Sequence, residues 1–102
     1  MVQVRWSRRI IAELHEAREY LHAYSPRSAE RLIDAIFTKA ALLETQPLLG
    51  RVVPEAERLD VRELFYQKYR LIYRVVSKTE ILMLTLHPAL RPLAADSLLE
   101  SS

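Results

Sequence analysis

The chain has no cysteine. Disulfides, thiolate metal sites and thiol nucleophiles are thereby excluded, and the composition is compatible with a reducing cytosol. There is a single glycine, Gly50, and no glycine-rich linker, internal repeat or low-complexity run. No segment approaches the roughly 18 consecutive apolar residues of a membrane span, and Met1-Val2-Gln3-Val4-Arg5-Trp6 offers no apolar signal region. The expected location is cytoplasmic. Charge of one sign is also scarce: 15 basic against 13 acidic residues give a net +2. That total hides a gradient, because residues 48–78 carry seven basic and four acidic side chains, a local +3. A polyanion would be drawn to the middle of the chain.

Half the residues are hydrophobic, and 102 residues suit one domain with its own core. Val2, Val4 and Trp6 alternate with polar residues and predict a short first strand. Ser7 is a good N-cap, and Ile10, Ile11, Leu14, Ala17, Leu21 and Tyr24 recur at helical spacing. Ser25-Pro26 starts a second helix, since proline at the first helical position loses no hydrogen bond. Its apolar stripe is Ala29, Leu32, Ile33, Ile36, Phe37, Ala40 and Leu43, and it must stop before Pro47. The very short link predicts an antiparallel helix hairpin.

Residues 46–59 read as a loop. Three alternating segments follow, at 61–66, 69–76 and 80–87, separated by gaps short enough to join antiparallel neighbours. The order β-α-α-β-β-β predicts a two-layer α+β domain over residues 1–102, with the helix hairpin on one face of a mainly antiparallel sheet. The tail after about residue 91 is expected to form a short helix or to be disordered. Leu14, Leu21, Ile33, Ile36, Phe37, Ala40, Leu71, Tyr73, Leu82 and Leu84 are the expected core.

Residues 69–75 carry the most information. Side chains alternate along a strand, so Tyr69, Leu71, Tyr73 and Val75 face the helices while Arg70 and Arg74 face the other way, with Ile72 between them. This second face is expected to be open to a partner, or simply solvated. His15 and His22, seven residues apart, read as helix surface. No three ligands show metal-binding spacing, so neither metal nor cofactor is expected. Trp6 reads as core, and Tyr66, Tyr69 and Tyr73 as core or sheet-face residues.

The element order resembles the RelE/ParE superfamily, the toxins of bacterial type II toxin–antitoxin modules, which include plasmid stabilisation proteins. So do Pro47-x-x-Gly50-Arg51, Val53-Pro54-Glu55, Val61-Arg62-Glu63-Leu64, Tyr69-Arg70-Leu71-Ile72-Tyr73 and Leu86-His87-x-x-x-Arg91. The resemblance implies a growth-arresting toxin, silenced by a cognate antitoxin that covers the helix hairpin or the arginine-bearing face. It leaves two targets open, the ribosome with its mRNA and DNA gyrase, and a third possibility of an inactive relative that only binds antitoxin. Ser25-Pro26-x-Ser28-Ala29-Glu30-Arg31, opening the second of two long helices, is similar to ParE. Glu55, Arg70 and His87 resemble the acidic, arginine and histidine set of the YoeB nuclease branch, although Pro88 stands where that branch has tyrosine. Arg62 is the nearest equivalent of a RelE lysine.

Metal-free RNA cleavage needs a base for the 2′-hydroxyl, a cation for the phosphorane charge and an acid for the leaving oxygen. On the resemblance, Glu55 is the candidate base, Arg70 the clamp and His87 the acid. Arg51, Arg62, Arg74 and Arg91 are candidate nucleic-acid contacts. The alternatives are a solvated Glu55, an Arg70 paired with Glu63 across the hairpin, and a His87 that caps the sheet edge.

Overall fold

The computed structural model describes residues 1–98. Strand β1 (Gln3–Trp6) leads into helix α1 (Arg8–Tyr24) and helix α2 (Pro26–Leu43). Strands β2 (Arg51–Val52), β3 (Val61–Tyr66), β4 (Tyr69–Ser77) and β5 (Glu80–Pro88) follow. Short 3-10 turns occupy Pro54–Ala56 and Ala95–Ser97. The predicted two-layer α+β fold is present: the two helices lie on a five-stranded sheet of order β1-β5-β4-β3-β2. The stretch 46–59, expected as loop throughout, contains β2, which two register pairs join to β3.

Serines organise the helices. The Ser7 hydroxyl accepts from the Ile10 amide at 3.0 Å and donates to the Leu84 carbonyl at 2.8 Å. It therefore caps α1 and pins that cap to β5 in one stroke. Ser25 alone joins the helices. Its amide closes α1 on the Leu21 carbonyl at 2.7 Å, and its hydroxyl accepts from Ser28 at the start of α2. A one-residue connection leaves the helices no choice but to run antiparallel.

Strand β1 is parallel to β5, with Gln3 opposite Glu80, while the other pairings are antiparallel. Between Ile72 and Tyr73 the β4–β5 register slips, leaving Leu84 without a partner. Glu13 of α1 serves this bulge, accepting from the Thr85 hydroxyl at 2.7 Å and the Leu86 amide at 2.9 Å. The hairpin between β3 and β4 turns on Gln67, whose φ is +50°. A left-handed conformation costs a residue with a Cβ about 1–2 kcal/mol. Gln67→Gly is therefore expected to raise stability by about 0.5–1 kcal/mol, after the entropic cost of glycine, measurable as a higher melting temperature.

Two apolar clusters sandwich the sheet. Ile10, Leu14, Leu32, Ile36, Ala40 and Leu43 of the helices meet Leu71, Tyr73, Ile81, Met83 and Leu86. On the second face Val53, Val61, Ile72, Leu82, Leu84 and Leu98 form another cluster, with Ala56 and Leu93 against it. The second face is thus not open, as the alternation had implied. The 53–56 segment and the C-terminal tail cover it, and full burial of a leucine such as Leu98 is worth about 1.5–3 kcal/mol. Phe37 also departs from expectation. It is 51% exposed, because the buried stripe of α2 runs through Ala29, Leu32, Ile36, Ala40 and Leu43 and Phe37 lies just off its centre. Leu21 and Ile33 are only partly buried.

Candidate functional site

The middle of the chain is built around the one glycine. The Gly50 amide donates to the Tyr73 hydroxyl at 2.9 Å, and that hydroxyl donates to the Pro47 carbonyl at 2.8 Å. Burial raises the Tyr73 phenol above its ordinary value, keeping it protonated for this role. Arg62 closes the loop from the other side, donating to the carbonyls of Gly50 at 2.9 Å and Leu59 at 3.2 Å. These bonds fix β2 beside β3 and so aim Arg51 and the 54–56 turn at the sheet.

Glu63 lies beneath them. Its side chain is fully buried and holds two guanidinium groups: Arg70 on one oxygen at 2.5 Å and Arg51 on the other at 2.8 Å. Arg70 is only 6% exposed. Its Nη1 and Nη2 donate in parallel to the two oxygens of Glu55, both at 2.8 Å. This is a bidentate fork, the strongest geometry available to an arginine and a carboxylate. The Arg70 bonds hold Glu55 well below the usual carboxylate range, at about 2. Arg51 continues over the ring of Phe65, 4.9 Å from its centroid.

His87 sits opposite Arg70 in the β4–β5 register, so both rise from the same face. Its Nε2 donates to the Arg91 carbonyl at 2.9 Å, which requires the proton to reside on Nε2. The structure therefore brings Glu55, Arg70 and His87 into one neighbourhood, and the alternative pairing of Arg70 with Glu63 holds as well. Arg51 joins this cluster. Arg62 is engaged in the loop clasp, and Arg74 pairs with Asp60 at 3.1 Å. Asp60 is also held by Arg58, and these two partners lower its titration. Arg91 is exposed at the start of the tail. Sequence reasoning missed the clasp by Tyr73 and Arg62. The signal was Tyr73 on the helix-facing side of β4, two strands away from the chain's lone glycine.

The Glu55 pairing has a measurable pH signature. Its folded value lies below the ordinary 4.5, so the stabilisation is complete above about pH 4.5. It fades as pH falls toward 2. Glu55→Gln is expected to flatten the dependence of unfolding free energy on pH within this window, as followed by urea titrations at successive pH values.

A second feature lies on the helix side. Trp6, Ile11, Leu14, Ile33 and Phe37 line an open apolar groove of about 350 Å³, with His15 and Arg18 on its rim. The Trp6 and Phe37 rings stack at 5.0 Å, tilted by 49°. Three of the departures from the expected core, the half-buried Trp6 and Ile33 and the exposed Phe37, line this groove.

The order of elements, the glycine clasp and the arginine cluster can now be set beside known proteins. Residues 4–89 match the family described as the ParE toxin of the type II toxin–antitoxin system, parDE. This chain belongs to the ParE toxin family. A solved structure described as the chromosomal ParDE TA system from P. aeruginosa shares the fold, with a TM-score of 0.68 at 23% identity. The alignment covers 86% of this ParE-family chain and 96% of that one. No match is found among curated proteins. Among the described residues of this ParE-family toxin, no helix is long and apolar enough to cross a membrane.

Proposed function

We propose that this ParE-family toxin arrests growth by binding a macromolecular target, DNA gyrase being the one that the resemblance to ParE favours, and that it does not cut RNA. The observation that carries this is the locked fork between Glu55 and Arg70. A general base works best with a pKa near the operating pH, and a carboxylate at about 2 is far too weak. Arg70 is no freer, with three of its N–H groups directed at Glu55 and Glu63. A phosphate would have to displace a bidentate carboxylate to reach it. The Nε2 proton of His87 is likewise given to a backbone carbonyl.

The partner that silences the toxin is a cognate antitoxin, and its docking site is the groove between the helices. The groove is apolar at its base with Arg18 at its rim. It therefore suits a segment with large apolar anchors. Trp6 is the only tryptophan, so its emission reports occupancy directly.

The test is induced expression without the antitoxin, with plasmid supercoiling and mRNA cleavage followed in the same cells. Altered supercoiling with intact mRNA is expected, and Glu55→Gln and His87→Gln are expected to stay toxic. Mapped mRNA cuts that vanish in His87→Gln, with supercoiling unchanged, would reverse the assignment in favour of ribosome-dependent cleavage.

A further inference from the structure

The C-terminal segment 89–98 crosses the second face of the sheet after the chain has completed its five strands. It is fastened at its root: the Ala89 amide donates to the Lys68 carbonyl at 2.7 Å, and the Arg91 amide turns back to Pro88 at 3.1 Å. His87 adds its bond to the Arg91 carbonyl. Beyond this root the character changes. Pro92, Ala94, Ala95 and Asp96 are exposed, while Leu93 and Leu98 turn inward. They pack among Val53, Val61, Ile72, Leu82 and Leu84. The Leu98 amide closes on Ala95 at 3.3 Å, within the segment itself. Its 3-10 turn also lies beside the 54–56 turn, whose Ala56 packs against the same cluster, and that turn carries Glu55.

We propose that segment 92–98 is a releasable strap hinged between Pro88 and Pro92, and that it holds the 54–56 turn, and with it Glu55, against Arg70. In the closed state the two leucines complete the apolar cluster that they share with Val53 and Ala56. In the open state Ile72, Leu82 and Leu84 face solvent, and the 54–56 turn loses the surface it leans on. The arrangement couples a tail position to a charge pair at the centre of the sheet. Segments that open alone are those with few apolar contacts and many exposed groups. The strap packs through Leu93 and Leu98, with Pro92, Ala94, Ala95 and Asp96 exposed, whereas β5 is buried along most of its length and β4 from Arg70 to Tyr73.

Amide hydrogen exchange on the full chain, resolved by residue, tests this. In the unaltered protein the amides of Ala56 and Leu98 are expected to exchange through a common opening, at least tenfold faster than those of Ile72 and Leu84. Leu98→Ser is expected to raise exchange at Val53 and Ala56 by at least tenfold again, leaving the β4 and β5 amides unchanged. The same variant should shift the Glu55 carboxyl titration, followed by carbon NMR, upward toward its ordinary range. A variant that exchanges faster everywhere would show the tail to be an integral part of the core. A rise confined to 92–98, with Val53, Ala56 and Glu55 unmoved, would show that the tail and the 54–56 turn are independent. Either result overturns the strap. Should Leu98→Ser fail to fold, the comparison of Ala56 and Leu98 against Ile72 in the unaltered chain decides the matter alone.

Discussion

Replacing Arg70 with alanine is expected to cost about 3–5 kcal/mol, the usual penalty for removing one partner of a buried ion pair. The sequence pattern pointed elsewhere, since an arginine on an open sheet face contributes little to stability. Burial reverses that expectation. Arg70→Ala would leave the carboxylate of Glu63, whose side chain is fully buried, with Arg51 as its one remaining guanidinium and a void where the other had been. It would also release Glu55 and remove the anchor of the 54–56 turn. Urea denaturation followed by helical circular dichroism reads the loss. The double variant Arg70→Met, Glu63→Leu is expected to recover most of it, because an apolar pair leaves no buried charge unpaired; Glu55 and Arg51, which lose their partners, keep access to solvent. Arg91→Ala serves as the control and should change stability by less than about 0.5 kcal/mol.

Gly50→Ala is expected to be nearly as harmful. A Cβ at this position would stand 2.6 Å from the Glu63 carbonyl oxygen and 2.9 Å from the Tyr73 ring and hydroxyl. Backbone cannot swing aside like a flexible side chain, so β2 must retreat from β3. Overpacking of this kind costs about 1–3 kcal/mol, occasionally more, and here the retreat also breaks the bond from the Gly50 amide to Tyr73. Thermal melting should show the loss. Tyr73→Phe provides the comparison, because it removes the two hydroxyl bonds without the clash. If Gly50→Ala proved no worse than Tyr73→Phe, the close approach would not be the reason for glycine.

The long elements were legible because each has one period, whereas β2, two residues long, has none. Ile10, Leu14 and Ala17 repeat as a helix does, and Tyr69, Leu71 and Tyr73 as a strand does. The two serine caps and Pro26 marked the helix boundaries to within a residue or two. Alternation also placed Arg70 and Arg74 correctly on one face. It was silent on what covers that face, since the cover comes from residues 53–56 and 93–98, far away along the chain and without any period of their own. The neighbourhood of Glu55, Arg70 and His87 was legible through family resemblance. Their mutual locking was not, because an ion pair depends on where a loop comes to rest. Phe37 illustrates a further limit: a helical stripe reports which residues are apolar, and an open groove borrows from the same stripe as the core.

The parallel pairing of β1 with β5 has a consequence in time. Residue 3 finds its neighbour at residue 80, and such distant closure is slow and entropically costly. During synthesis the helix hairpin emerges early and can form on its own terms. The first strand, however, has no sheet to join until the last long strand has left the ribosome. Trp6 belongs to that first strand, so the groove it lines is completed at the end of folding. If a partner docks in the groove as proposed, a newborn chain offers it no complete surface until its own fold is closed.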